Sequence, residues 1–248
     1  MVVRNTVHKI DGEKLSVCQV LPETVAGNAY GVVIMHGAGT GNKAQNLPLA
    51  RDFSERGHYA FTLDFSGHGD STGALSELSL QRRRDQAAGV IANIVPEELP
   101  LVLIGFSMSG QTVADLVALL GDRVAAVVLC APGVYGRSVW NLPFGESIFT
   151  DLIRRPESWR DSVAVDIYAE FSGRAVLVVP EEDAVIPLGV TEVLARVLTI
   201  QADFVRLRLM GASHQLGSWL ANNPQDREKI VNSVLLPYPS TRVSENGK

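Results

Sequence analysis

Short runs of apolar and β-branched residues alternate along this chain with segments in which apolar residues recur every three or four positions. The short runs predict strands, because buried strands of a parallel sheet read as continuous apolar stretches. They lie at residues 15–21, 30–36, 59–64, 101–106, 124–130, 175–179 and 204–210. The three-to-four spacing predicts helices at residues 47–56, 80–95, 112–120 and 189–198, followed by a closing helical region at 216–235 that is interrupted near Pro224.

This alternation of strands and helices predicts an α/β fold. We expect a mostly parallel sheet of about eight strands, covered by helices on both faces and joined by right-handed crossovers. The first one or two strands precede the helical alternation, and we expect them to pair antiparallel at one edge.

One segment interrupts the alternation of predicted strands and helices. Residues 131–172 contain no clear strand but several aromatic residues. A structureless loop of that length is improbable in a compact domain, so we expect an insertion with helices of its own, at residues 144–154 and 158–169.

Composition narrows the class of protein. The 248 residues, 46% hydrophobic and 20% charged, supply enough material for one core, and we expect a single domain over residues 1–248 with a polar tail from residue 237. A net charge of −5 argues against nucleic acid or an anionic membrane as the main partner. The cluster Arg82-Arg83-Arg84 lies in a predicted helix, where a solvated face is the better interpretation than an anion site.

The predicted cellular location is the cytoplasm. Residues 1–15 lack the apolar core of a secretion signal, and no apolar run approaches the length of about 18 residues that a membrane span needs. Cys18 and Cys130 are spaced for neither a metal site nor a disulfide framework, so we expect buried free thiols. The sequence leaves the oligomeric state open.

The candidate chemistry centres on Ser107. The predicted strand 101–106 ends in Gly105-Phe106, and Ser107 is followed by Met108-Ser109-Gly110 and an apolar helical pattern. A serine between small residues at a strand-to-helix turn resembles the nucleophile elbow Gly-x-Ser-x-Gly of the α/β-hydrolase family, with Ser109 in place of the last glycine.

A second motif strengthens the resemblance to α/β-hydrolases. His36-Gly37-Ala38 stands at the end of the strand predicted at residues 30–36, where hydrolases of this fold carry His-Gly-x. The resemblance implies an oxyanion hole formed by the backbone N–H groups of Ala38 and Met108. It implies that His36 is structural, and likewise His68 in the loop after the strand 59–64.

Two further loops supply an acid and a base. Asp183 follows the strand 175–179 in a turn similar to the family's Gly-x-x-Asp-x-x-[Val/Ile]-Pro, with Glu182 as a competitor, and His214 follows the strand 204–210. The order Ser107, Asp183, His214 is that of the α/β-hydrolases. The resemblance therefore implies a catalytic triad, with neither a metal nor another cofactor.

The predicted substrate is a small-molecule acyl ester, and the predicted activity is that of a serine carboxylic-ester hydrolase. A thioesterase or acyltransferase acting on a carrier-bound acyl group would use the same residues, and a binding protein with little turnover could retain the fold. The insertion 131–172 lies where family members carry a cap. Its Trp140 and Phe144 are the first candidates for substrate contacts, with a small core of the insertion itself as the equal alternative.

Overall fold

A computed structural model describes residues 1–235 of the chain; the polar tail predicted from residue 237 lies outside this range. Within residues 1–235, one sheet contains eight strands in the order β1-β2-β4-β3-β5-β6-β7-β8. Its strands are β1 Val2–Ile10, β2 Glu13–Leu21, β3 Gly31–Met35, β4 Tyr59–Leu63, β5 Leu101–Phe106, β6 Val124–Cys130, β7 Arg174–Glu182 and β8 Asp203–Ser213. The predicted α/β class is confirmed.

The sheet is parallel from β4 through β3, β5, β6 and β7 to β8, whereas β2 runs antiparallel to both β1 and β4. This agrees with the expected antiparallel edge. The prediction omitted β1, because this strand is an outer edge in which most residues are exposed and polar residues interrupt the apolar ones. Such a strand has no continuous apolar run.

Helices cover both faces of the sheet. They are α1 Lys43–Glu55, α2 Leu80–Ile94, α3 Ser109–Leu120, α4 Ser147–Ile153, α5 Val163–Glu170, α6 Leu188–Gln201, α7 Leu216–Asn222 and α8 Pro224–Leu235. Alternate side chains of each central strand point to opposite faces. In β3, Val33 and Met35 therefore join one buried cluster with residues of α2, α3 and α6, while Val32 and Ile34 join a second cluster with residues of α1, α7 and α8.

Helix α1 begins four residues earlier than predicted. The side chain of Asn42 accepts hydrogen bonds from the backbone N–H groups of Ala44 and Gln45, which caps the helix. The first turn is polar and gives no apolar periodicity, so only the later part of the helix was predicted.

The segment 131–172 contains α4, α5 and two 3-10 turns, Arg137–Val139 and Ser158–Asp161. It is tied to α3 by side-chain hydrogen bonds: Tyr168 donates to the carbonyl of Gly110 at 2.6 Å, and Ser162 donates to the side chain of Gln111 at 3.1 Å. The insertion therefore packs beside the helix that follows Ser107. Among residues 1–235, no helix combines the length and the apolar character needed to cross a bilayer.

Candidate active site

Ser107 occupies a sharp turn between β5 and α3. Its φ angle is 49°, a left-handed backbone conformation that residues other than glycine rarely adopt. The turn is held by hydrogen bonds, since Ser107 N–H donates to the carbonyl of Cys130 at 2.9 Å and its own carbonyl accepts from Gly110 and Gly133 at 2.8 Å. A Cβ on Gly105 would lie 2.6 Å from the carbonyl oxygen of Ser109, so only glycine fits there.

His214 lies directly after β8 and contacts Ser107. Its Nε2 is 2.9 Å from Ser107 Oγ, and its Nδ1 is 3.1 Å from each carboxylate oxygen of Asp183. A carboxylate can only accept from Nδ1–H, so the pairing places the ring proton on Nδ1 and leaves Nε2 to accept from the serine hydroxyl. These three side chains form one hydrogen-bonded series.

Asp183 follows β7 and is held by its own turn. Its Oδ1 accepts hydrogen bonds from the backbone N–H groups of Val185 at 2.8 Å and Ile186 at 2.9 Å. The neighbouring Glu182 is exposed, and the carboxylate that contacts His214 is that of Asp183. Strand β7 extends three residues beyond its predicted end. Asp183 therefore lies at the carboxyl end of this strand.

The loop after β3 lies against the Ser107 turn. His36 is buried, donates from Nδ1 to the carbonyl of Gly37 at 2.6 Å and accepts at Nε2 from Phe65 N–H at 3.2 Å. Burial, together with the nearby Arg83 charge, holds the pKa of His36 well below its usual range, so the ring is neutral. A Cβ on Gly37 would lie 3.0 Å from Ser107 Cβ. His36 thus shapes a loop that touches the serine.

Two backbone N–H groups belong to residues next to Ser107, one directly along the chain and one in the loop after β3. Met108 N–H belongs to the residue directly after the serine, and Ala38 N–H to the residue after Gly37. Within residues 1–235, neither group has a hydrogen-bond acceptor. The resemblance to α/β-hydrolases makes these two groups the candidates for an oxyanion hole.

Arg83 corrects the interpretation of the arginine cluster. Arg82 and Arg84 lie at the surface, where they pair with Asp11 and Asp85, but Arg83 is fully buried. The sequence contained a signal for this burial, because residue 83 lies on the same stripe of α2 as the buried Leu80, Ala87, Val90 and Ile91.

A buried ion pair supports the loop after β4, which also carries His68. The carboxylate of Asp64 accepts from Lys43 Nζ at 2.6 Å, from Lys43 N–H at 2.7 Å and from Asp70 N–H at 3.0 Å. In the same loop His68 is buried, with Nδ1 3.1 Å from the carbonyl of Ser66. Asp64 and His68 therefore bind within this loop, and the described partner of the Ser107 hydroxyl is His214.

Comparison with known proteins identifies the family. The family model described as serine aminopeptidase, S33, matches residues 28–244. The chain belongs to this family. It is also 31% identical over 109 residues to the uncharacterized protein YfhR of Escherichia coli K12, a match that spans 42% of this chain and 37% of that protein.

Solved structures confirm the α/β-hydrolase fold. The thioesterase domain from the curacin biosynthetic pathway has a TM-score of 0.69 at 13% identity, covering 94% of this chain and 100% of that chain. Est1E from Butyrivibrio proteoclasticus, solved with ferulic acid, has a TM-score of 0.68 at 15% identity and coverages of 92% and 99%. The esterase Est2 of Thermogutta terrifontis has a TM-score of 0.67 at 15% identity and coverages of 96% and 95%.

In this hydrolase a small cavity lies beside Ser107. Its volume is about 60 Å³, whereas pockets for drug-sized ligands hold about 300–1,000 Å³. Within the described chain, none of its lining residues carries a carboxylate. They are His36, Gly37, Ala38, Gly41, Gln45, Asn46, Phe106, Ser107, Cys130, His214, Gln215, Leu216 and Gly217.

Trp140 and Phe144 do not line this cavity. Trp140 Nε1 donates to the carboxylate of Asp115 at 2.9 Å, and Phe144 packs against Phe149 with ring centroids 4.7 Å apart. Both belong to a cluster of the insertion that also holds the Met108 side chain. Phe144 therefore packs within the insertion, whereas Trp140 contacts α3 and lines a separate cavity of about 370 Å³.

Proposed function

We propose that this hydrolase cleaves carboxylic esters with short acyl groups. Ser107 is the nucleophile, His214 the general base and acid, and Asp183 the group that orients the imidazole. The observation that carries the proposal is the hydrogen-bonded series from Ser107 Oγ to His214 Nε2 at 2.9 Å and from His214 Nδ1 to Asp183 at 3.1 Å. This arrangement lets a serine hydroxyl lose its proton as it attacks.

The steps follow from this geometry. His214 accepts the Ser107 proton while Oγ bonds to the ester carbonyl carbon, and the N–H groups of Ala38 and Met108 bind the resulting oxyanion. One such donor contributes about 3 kcal/mol of transition-state stabilisation. His214 then gives the proton to the leaving alcohol, which leaves an acyl group on Ser107. A water molecule, deprotonated by His214, releases the acid and restores the serine.

The cavity beside Ser107 supports a short acyl group. By the measure that one water needs about 10–15 Å³, a volume of about 60 Å³ holds only a few water molecules. That space accommodates an acetyl to butyryl chain, and a longer chain would extend beyond it. The leaving alcohol then extends toward solvent.

The lining of the cavity also supports a neutral acyl group. An aminopeptidase must bind the cationic amino group of its substrate, and a carboxylate is the side chain suited to this task. Within residues 1–235, the only carboxylate hydrogen-bonded to His214 is that of Asp183, which also accepts from two backbone N–H groups. An ester of an uncharged acid fits this cavity better than an α-amino acyl amide.

The domain organisation belongs to the same proposal. Residues 131–172 form a short cap on a single hydrolase domain; of its predicted extent, residues 1–248, the structure describes residues 1–235. The hydrogen bonds of Tyr168 and Ser162 to α3 support a cap that remains packed beside the active site.

The experiment is a comparison of kcat/KM for the purified protein on p-nitrophenyl acetate, butyrate and octanoate, acetyl-coenzyme A, and alanine p-nitroanilide, with Ser107→Ala as the blank. We expect acetate and butyrate to exceed octanoate at least about tenfold, because the longer chain exceeds the cavity. We expect the anilide to be the poorest substrate. A preference for the anilide, or no turnover of any ester, would contradict the proposal. A higher kcat/KM on the thioester would replace the ester assignment with a thioesterase.

A further inference from the structure

Among residues 1–235, the arginine buried beneath the active site has no anionic partner. The Arg83 side chain is fully buried, and within residues 1–235 it forms no ion pair with a carboxylate. Its Nε and Nη1 atoms are buried without a hydrogen-bond partner. Burial of an unpaired charge costs free energy. A residue that destabilises the fold in this way needs another explanation for its position.

The contacts of Arg83 point to the reaction site. Its Nη2 donates to the carbonyl oxygen of His36 at 2.6 Å and to Ser109 Oγ at 2.8 Å. The guanidinium also stacks on the ring of Phe65, 3.8 Å from its centroid. His36 begins the loop that carries Ala38, and Ser109 follows Met108 directly. One guanidinium nitrogen therefore connects the two segments whose N–H groups flank Ser107.

We propose that Arg83 is a positioning residue for the hydrolytic reaction, which fixes the loop after β3 against the Ser107 turn and places an unneutralised positive charge behind the oxyanion hole. This inference rests on the proposed function, because it assigns Arg83 to the oxyanion hole of that mechanism. Arg83 does not touch the substrate. It acts through the backbone of residues 36–38 and 107–109.

Both effects favour the transition state over the ground state. Negative charge develops on the substrate oxygen only as the serine attacks, and a fixed cation in a dry environment stabilises that charge more strongly than a cation in water. Burial lowers the pKa of Arg83 to about 9, so the guanidinium remains charged at neutral pH. Because no carboxylate in the described part of the chain pairs with Arg83, its positive charge stays available to stabilise the developing oxyanion.

A purely structural role predicts a different response to substitution. In Arg83→Met the carbonyl of His36 still accepts a hydrogen bond from Ser109 Oγ, at 2.7 Å, and the cost of burying a charge disappears. We therefore expect this variant to fold with an unchanged or higher melting temperature. If Arg83 acted only by holding the fold together, the melting temperature would fall and the folded fraction would keep its activity.

The experiment measures kcat, KM and the melting temperature of Arg83→Met and Arg83→Lys with the best ester of the panel. The matched control is Arg82→Met, which removes the same charge from the adjacent, partly exposed position on α2. We expect kcat of Arg83→Met to fall about 10- to 100-fold with KM within about threefold, since the lost interaction is made in the transition state. We expect Arg83→Lys, which keeps a charge, to retain more kcat than Arg83→Met, and the control to match the wild type.

A second readout separates this inference from the proposed function. The rate at which a fluorophosphonate modifies Ser107 is measured for the same variants. A wild type that does not react contradicts the proposed function itself. Suppose that the wild type reacts and that Arg83→Met has an equal kcat and an equal modification rate. This result would overturn the role of Arg83 but would not contradict the catalytic triad. Equal kcat for Arg83→Met and Arg83→Lys would overturn the contribution of the charge.

Discussion

Ser109 Oγ donates a hydrogen bond of 2.7 Å to the carbonyl oxygen of His36. Glycine is usual at this position of the nucleophile elbow. In this chain the position also carries a hydroxyl that forms hydrogen bonds. It links the turn that presents Ser107 to the loop that carries Ala38, and it also accepts a hydrogen bond from Arg83. The departure from the family motif is therefore an additional contact between two parts of the active site.

Removal of this hydroxyl will destabilise the protein. In Ser109→Ala the buried hydrogen bond to His36 disappears and the Arg83 guanidinium loses one acceptor. We expect the free energy of unfolding to fall by about 1–3 kcal/mol, measured by urea denaturation. The control is Ser138→Ala, an exposed serine, for which we expect a change within about 0.5 kcal/mol. Equal stability of both variants would show that the Ser109 contact contributes nothing.

Asp183, and not Glu182, orients His214. Asp183→Asn replaces an acceptor with an amide that favours the wrong imidazole tautomer, and we expect kcat to fall by about 10⁴-fold. Glu182 is exposed, so we expect Glu182→Gln to stay within about tenfold of the wild type. The measurement is kcat on p-nitrophenyl acetate for both variants. Equal losses would mean that the acid is misassigned.

Gly37 must remain without a side chain. In Gly37→Ala the new Cβ would lie 3.0 Å from Ser107 Cβ and 3.3 Å from the carbonyl oxygen of Phe106, so the serine or the loop must shift. We expect kcat/KM to fall about 10- to 100-fold, because a small misplacement of reacting groups is costly. Gly27→Ala, where a Cβ meets nothing within 4 Å, is the control. An unaltered kcat/KM in Gly37→Ala would contradict the close contact.

Stability will decline in weak acid because of buried histidines. Burial lowers the pKa values of His36, His58 and His68 in the folded state. Below the unfolded pKa of about 6.5 the unfolded chain binds protons that the folded chain does not, so stability falls as pH falls. Each such histidine contributes up to about 1.4 kcal/mol per pH unit.

His58→Asn tests this contribution at a site away from the triad. His58 Nδ1 accepts from Tyr30 N–H at 3.2 Å, and the asparagine oxygen can replace that acceptor. We expect urea midpoints measured between about pH 7.5 and pH 5 to fall less steeply in the variant than in the wild type. Parallel curves for the two proteins would refute the assignment.

The central strands could be predicted from the sequence and the outer edge could not. Strands β3, β5 and β6 are buried on both faces, so nearly all their residues are apolar. Strand β1 is stabilised by pairing with β2, which is a tertiary contact with no local apolar run to reveal it. The start of α1 was missed for a similar reason, since its cap is the polar Asn42.

The three chemical groups could be placed because each follows a parallel strand. Ser107, Asp183 and His214 lie after β5, β7 and β8, whose carboxyl ends meet at one edge of the sheet. The burial of Arg83 follows from its place on the apolar stripe of α2, whereas its contacts with His36 and Ser109 depend on tertiary packing that helical spacing does not encode. The destinations of Trp140 and Phe144 depend on how the insertion folds on itself, which the spacing of aromatic residues does not encode.

The central claim is that Ser107 is a nucleophile activated by His214 and Asp183. The most direct measurement is modification of the folded protein by a fluorophosphonate, with the labelled peptide located by mass spectrometry. We predict one modified residue, Ser107, no label in Ser107→Ala, and a rate reduced at least about 10³-fold in His214→Ala. A folded wild type that stays unlabelled, or that carries the label on another serine, would contradict the account.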